Sequence, residues 1–230
     1  AERCDSLQSF FQINSLGGGT GSGLGSRVLE ILADSYPRVY RFATVVSPSP
    51  TSDDVITSPY NTLLSLAKLV AHADCILPID NQALADICRR SVDIGGGGGV
   101  KKSASGFDDM NNIVANLISN LTSSMRFEGS MNIDINDIVT NLVPFPRRKF
   151  LLSSMTPLVT TSSSVMSGRL DQMFTDAFSK DYQLLKVDPK SSTYLACALM
   201  IRGQGVEISD VRRNIDRAKS WLKFAHWNQE

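Results

Sequence analysis

Leu7-Gln-Ser-Phe-Phe-Gln-Ile-Asn14 is a largely apolar segment, and a few residues later it meets Gly17-Gly18-Gly19-Thr20-Gly21-Ser22-Gly23. A short apolar run that ends on glycine predicts a buried strand. From Ser22 onward, Leu24, Val28, Leu29, Ile31 and Leu32 recur at helical spacing and fade near Pro37. The glycine run therefore joins a strand to a helix. An anionic phosphate needs several backbone N–H groups at close range, and glycine lets the chain turn tightly and approach closely. The helix beyond adds its N-terminal donors and the positive end of its dipole. Thr20 and Ser22 add hydroxyl donors. The run is neither the GxGxxG fingerprint nor the P-loop, which needs a Lys after its last glycine. Gly17 through Gly23 are thus candidates for holding phosphates, against the plainer alternative of a structural turn.

Strands and helices alternate from there. Arg41 to Val46 predicts a second buried strand, followed by the turn-rich Ser47-Pro-Ser-Pro50. Thr62 to Ala71 predicts a helix, Cys75 to Ile79 a third strand, and Asn81 to Arg90 a short helix capped by Asp80 or Asn81. Such alternation implies a parallel sheet covered on both faces. Gly95 to Gly99, with Lys101, Lys102, Ser103 and Ser105 after them, predict a flexible connection. No strand precedes these glycines and no apolar helix follows, which argues against a second phosphate cradle.

Next, Met110, Ile113, Val114, Leu117, Ile118, Leu121 and Met125 recur at helical spacing. The opposite face carries Asn111, Asn112, Asn116, Ser119, Asn120 and Ser123, where a solvated helix would carry Lys and Glu. Such a face is suited to lie against something polar. Further strands are predicted at Phe150 to Ser154, Thr193 to Ile201 and Leu222 to Trp227. Helices are predicted at Leu170 to Ser179 and Ser209 to Trp221. The expected fold is α/β. It comprises the C-terminal part of a doubly wound nucleotide-binding domain (1–106), a central helix (107–127) and a second α/β domain with a mixed sheet (128–230).

The chain of 230 residues is 42% hydrophobic and 20% charged, with 23 basic and 23 acidic residues. No net field draws it toward nucleic acid or an acidic membrane surface, and neither is expected as a partner. No apolar run approaches the roughly 20 residues that span a bilayer. The chain begins at Ala1 without a Met or a basic-then-apolar leader, the pattern expected of a fragment. Cys4, Cys75, Cys88 and Cys197 form no Cys-x-x-Cys pair, and reduced, buried thiols of a cytosolic protein are expected. His72 and His226 have no partner at ligand spacing, so no protein-built metal site is expected.

Four further stretches carry candidate chemistry. Asp134 and Asp137 stand three apart in Asn132-Ile-Asp134-Ile-Asn136-Asp137. They can order a water or a cation beside a phosphate, or simply cap a helix. Asn81 ends a strand, and its amide can both donate to and accept from a purine edge, or cap the helix that follows. Phe107 opens the long helix and can stack on a base or join the core. Asp53 and Asp54 sit in a turn before Pro59-Tyr60-Asn61.

Together these stretches resemble the tubulin family. The run from Gly17 to Gly23 matches the tubulin signature, and Asn141-Leu-Val-Pro-Phe-Pro146 matches a second one. Ile87-Cys-Arg-Arg90, Met125-Arg-Phe-Glu-Gly129 and Asp188-Pro-Lys190 also look like tubulin, so the resemblance covers essentially the whole chain. Within the family it points to the epsilon branch, through Asp53 to Asn61, Asp74 to Asn81, Met110 to Leu117, Arg169 to Phe174, Asp176 to Asp181 and Trp227 to Glu230.

The resemblance implies a GTP/GDP-binding cytoskeletal protein and assigns roles by position. The run from Gly17 to Gly23 would be the phosphate loop. Asp54 would lie near the ribose and phosphates, Asn81 and Asn111 would read the guanine edge, and Phe107 would stack on it. Mg2+ would be bound through the phosphates and a segment preceding Ala1. Asp134 and Asp137 would reach the nucleotide of the next subunit along a filament. Asp137 stands where an acidic residue activates water in some members and beta-tubulin has Lys. An active GTPase completed between subunits is the alternative to a purely structural role. Implied partners are other tubulins in longitudinal contact and centriolar proteins, in the cytoplasm and cytoskeleton at centrioles or basal bodies with triplet microtubules.

Three departures qualify these implications. Ser58 replaces a Glu near the ribose, Phe107 replaces Tyr, and the lateral-contact loop from Val159 to Asp171 is short and rich in Ser and Thr. Weak incorporation into the microtubule wall is expected. A dinucleotide oxidoreductase is disfavoured, because no acid about 20 residues beyond the loop closes a following strand.

Overall fold

The computed structural model describes residues 3–49, 55–94, 106–129, 132–158, 170–203 and 206–227. Asp54, the five-glycine connection and most of the expected lateral loop lie outside them. The contacts divide the chain into two compact units. One is Ala1–Gln82 with Ile133–Leu152, the other Ala83–Asn132 with Ser153–Glu230. These units interleave along the chain, so the contacts do not divide at the linear boundaries expected at 106 and 127.

The first unit is built on three parallel strands in the order β1-β2-β3: β1 (Ser9–Ser15), β2 (Tyr40–Ser47) and β3 (Cys75–Asp80). Phe11 registers with Phe42, and Thr44 with Leu77. A central parallel strand is covered on both faces, and Phe42, Ala43, Thr44 and Val45 of β2 are all buried. Helices α1 (Gly25–Ser35) and α2 (Ser58–His72) cross over between successive strands. Leu29 and Leu69 meet Leu16, Ala43, Val45, Ala73 and Ile76 in one apolar cluster. Burying a side chain such as Leu69 contributes about 2 kcal/mol.

At the opposite end of the strands, Arg41 donates to the carbonyls of His72, Tyr36 and Val39 and to the carboxylate of Asp74. Its side chain is only 12% exposed. Helix α6 (Ile135–Leu142) buries Ile135, Ile138 and Val139. The chain then returns beside β3, with the Ile76 and Leu151 amides bonding to the carbonyls of Lys149 and Ile76.

The second unit contains the remainder of α3 (Asn81–Ile94), which is longer than expected. It also holds α4 (Gly106–Leu121), α5 (Ser123–Arg126), α7 (Leu170–Ala177) and α8 (Ile208–Lys219), with short strands β4 (Thr193–Tyr194) and β5 (Lys223–Phe224). The expected single helix over 107–127 breaks at Thr122. There the Thr122 and Ser123 hydroxyls bond to the Ile118 and Asn120 carbonyls, and Arg202 donates to the Asn120 carbonyl and the Ser124 hydroxyl. Side-chain bonds of this kind compete with the helix's own ladder. Asp171 of α7 accepts from Asn214 and Arg213 of α8. Phe178, Tyr194, Trp221 and Phe224 pack around Ala218 and Leu222.

The later strands are shorter than their sequence patterns predict. Only Thr193–Tyr194 and Lys223–Phe224 pair, in parallel, while Phe150 and Ser154 make single bridges of opposite direction. Apolar pattern marks a segment fit for a sheet, but a ladder also needs a neighbour in register. Cys75 is buried as expected, whereas Cys4 and Cys197 are exposed. No described helix is long and apolar enough to cross a membrane. The α/β class stands.

Candidate functional site

In open parallel sheets, ligands bind beyond the carboxyl ends of the strands. In the first unit the glycine run follows the carboxyl end of β1, and Asn81 follows that of β3. The helix that leads into α1 starts at Gly19, whose φ of −63° and ψ of −44° are helical. Its first turn is wide. Residues Thr20–Leu24 form a π turn, and the Gly25 amide donates to the Thr20 carbonyl. Single π turns of this kind concentrate at functional sites. The Ser22 amide bonds back to the Gly18 carbonyl at 3.1 Å, and the amides ahead of it belong to the first turn, where a helix offers no acceptor of its own. They form a donor-rich, positive helix start.

The glycines divide into two kinds. A Cβ on Gly18, Gly19 or Gly23 would meet nothing within 4 Å, so these face open space. A Cβ on Gly21 would come within 2.2 Å of the Ser15 carbonyl oxygen. Glycine is thus required at 21 for close approach. No residue of the run turns through a left-handed conformation, since among the described residues only Gly203 has a positive φ. Thr20 is exposed, but Ser22 is turned inward. Its hydroxyl donates to the Gly18 carbonyl at 2.6 Å, closing the loop on itself. The open face, uncommitted amides and absence of any carboxylate within the run suit an anionic group.

Three amides that the sequence reading missed brace this loop. Asn61 donates to the Gly17 carbonyl at 3.0 Å. Asn14 donates to the Gly21 carbonyl at 2.9 Å, and Gln12 to that of Gly25 at 3.0 Å. A signal existed: Gln12 and Asn14 alternate on one face of β1 just before the glycines. Asp80, rather than Asn81, receives the Gln82 amide at the start of α3. The Asn81 amide has no hydrogen-bond partner among the described residues, so capping does not account for it.

In the second unit, Phe107 in the first turn of α4 is 64% exposed and does not join the core of the described residues. Asn111, one turn further, is exposed too. Inward-facing Ile113 and Leu117 are buried. Back in the first unit, Asp134 is the N-cap of α6, and Asp137 accepts the Asp134 amide at 3.1 Å. Helix capping is therefore observed for this pair, with Asp137 exposed to solvent. Among the described residues no three His, Cys, Asp or Glu side chains cluster to hold a metal.

Comparisons with known proteins agree with this architecture. A family model described as "Tubulin/FtsZ family, GTPase domain" matches residues 1–89, and "Tubulin C-terminal domain" matches residues 146–230. The chain belongs to the tubulin family. Within it the chain is epsilon-tubulin-like. It is 56% identical to the tubulin epsilon chain of Homo sapiens over 249 aligned residues, covering 100% of this chain and 52% of that protein. Identity to the Mus musculus epsilon chain is 55%, with the same coverage. The tubulin alpha-1 chain of Saccharomyces cerevisiae is 38% identical, over 96% of this chain and 47% of that one. The chain thus spans about half the length of the curated relatives it matches.

Proposed function

We propose that this chain is the part of a GTP-binding cytoskeletal tubulin that holds the nucleotide's phosphates and shapes its surroundings. One observation carries this reading: a glycine-lined helix start with open space at Gly18, Gly19 and Gly23, at the carboxyl edge of a parallel sheet in a tubulin-family chain. Its amides would bind the β- and γ-phosphates, with Thr20 adding a hydroxyl. Mg2+ would be held through those phosphates. By the resemblance, Asn81 and Asn111 would read the guanine edge, and Phe107 would stack on it. By the same resemblance, Asp54 would lie near the ribose and phosphates.

Partners in this reading are other tubulins in longitudinal contact and centriolar proteins, at centrioles or basal bodies. What supports that location is the similarity to tubulin epsilon chains. A second reading is favoured by Asp137, an exposed carboxylate at the start of α6. Beyond its capping role, it would activate water on a neighbouring subunit's nucleotide, making assembly switch on GTP hydrolysis.

The test is the nucleotide released on denaturing purified full-length protein. Bound guanine nucleotide is expected, and protein free of nucleotide that also takes up none from solution would overturn the reading. GTP in the released pool indicates a structural site, and GDP indicates turnover. Equal turnover by Asp137→Asn and wild type in an assembled mixture would remove Asp137 from the chemistry.

A further inference from the structure

The two amides on β1 occupy a place the helix itself leaves open. In a regular α-helix the Gly25 amide would donate to the Gly21 carbonyl, four residues back. The π turn diverts that amide to Thr20. The Gly21 carbonyl instead accepts the side-chain amide of Asn14, at 2.9 Å. Gln12, two residues earlier on the same strand face, donates to the Gly25 carbonyl at 3.0 Å and to the Asn14 side-chain oxygen at 3.3 Å. The other end of the Gln12 amide, its Oε1, is buried without a partner among the described residues. An orphaned buried acceptor is costly, so this rotamer is held by the two donations it makes. The space is also tight: a Cβ on Gly25 would lie 3.1 Å from the Asn14 amide and 3.2 Å from that of Gln12.

We infer that Asn14 and Gln12 are positioning residues for the phosphate loop. Asn14 supplies the hydrogen bond that the π turn diverts from the Gly21 carbonyl. A peptide plane held by its carbonyl has its far side fixed as well. Pinning Gly21 C=O toward β1 therefore fixes the Gly21–Ser22 peptide. Through the Ser22 bonds to Gly18, it also fixes the turn that carries the first-turn amides, beside the open space at Gly18 and Gly19. Asn14 bonds to the loop's backbone. It acts through the loop, and its effect falls on the phosphates rather than on the base. This inference rests on the nucleotide-binding reading above.

The test is to measure dissociation constants of GMP, GDP and GTP for nucleotide-stripped full-length protein, wild type and Asn14→Leu. Leu has nearly the shape of Asn but no donor. The loss of one such hydrogen bond predicts about fivefold weaker GDP and GTP binding. GMP affinity should stay within about twofold, so the GTP-to-GMP preference falls. Asn14→Gln, which keeps an amide donor, should recover most of that preference. An unchanged preference in Asn14→Leu overturns the inference, as does an equal loss for all three nucleotides, which marks general destabilisation. Wild type that binds none of the three overturns the nucleotide reading itself, a separate outcome. Where Asn14→Leu does not fold, Gln12→Leu removes the brace on Gly25 and the donation to the Asn14 side chain and is read the same way, with about a threefold change in preference expected.

Discussion

Alanine at Gly21 and alanine at Gly19 should have opposite effects, though the two glycines are two residues apart in one loop. A Cβ on Gly21 would sit 2.2 Å from the Ser15 carbonyl oxygen, 2.9 Å from its nitrogen and 3.0 Å from its carbonyl carbon. All three atoms are backbone in β1, and no rotamer change can relieve them. The first distance is about 1 Å inside ordinary contact, so the helix start must lift off the strand by a comparable amount. Overpacking of this severity costs about 3 kcal/mol. The lift would also stretch the 2.9 Å bond from Asn14 to the Gly21 carbonyl. Gly19 already has helical φ and ψ, and a Cβ there would meet nothing within 4 Å. Alanine is the better helix former by about 1 kcal/mol, so Gly19→Ala should hold or raise stability. Its methyl would stand where an anion approaches the amides, and nucleotide affinity should fall about tenfold, equivalent to about 1.4 kcal/mol. Urea unfolding of nucleotide-stripped protein and titration with GDP separate the two effects. A Gly21→Ala variant as stable as wild type would refute the close-approach argument. A Gly19→Ala variant that loses stability but keeps affinity would refute the assignment of the open side to the ligand.

Three other outcomes are expected. Arg41 is largely buried and spends its guanidinium on three carbonyls and Asp74, so Arg41→Ala should cost about 3 kcal/mol in urea unfolding, and Lys should restore little because it lacks the fork of donors. Burial, and then the nearby Asp74 charge, push the Cys75 thiol up to about 12. Iodoacetamide at pH 8 should therefore alkylate the exposed Cys4 well before Cys75, as read by mass spectrometry of native protein. Hydrogen bonds from Asn214 and then Arg213 hold the Asp171 carboxyl below its ordinary value. A lowered folded value means that this contribution is present above the ordinary carboxylate range, near pH 4, and is lost as pH falls through the lowered value. Asp171→Asn should flatten the acid-side decline in melting temperature, and an unchanged decline would show that Asp171 does not contribute to it.

Much of the architecture was legible in order and period. The apolar run before Gly17, the helical spacing from Leu24 to Leu32 and the strand–helix alternation through Asn81 depend on local pattern, and the parallel sheet follows from them. The second unit was less legible. Residues 193–201 and 222–227 carry strand-like composition, yet only two residues of each pair, because pairing depends on a partner that composition does not name. The break of the long helix at Thr122 was equally hidden, since Arg202, which donates to the Asn120 carbonyl and the Ser124 hydroxyl beside it, is far away in sequence.

By itself, the sequence determined that a strand, seven residues dense in glycine and a helix stand in line, and that the chain resembles tubulin. That is enough to propose an anion site at a helix start. Tertiary structure alone decided what each residue there does. Gly21 is glycine because the helix turns back over Ser15, whereas Gly18, Gly19 and Gly23 face open space. Ser22 bonds to its own loop, and Asn14 and Gln12 brace it from the strand. Asp80 takes the helix start that leaves Asn81 uncommitted. The physical reason is common to all of these. Glycine content and helical period are local properties, but a close approach, a diverted hydrogen bond or a free amide exists only after the chain has folded back on itself.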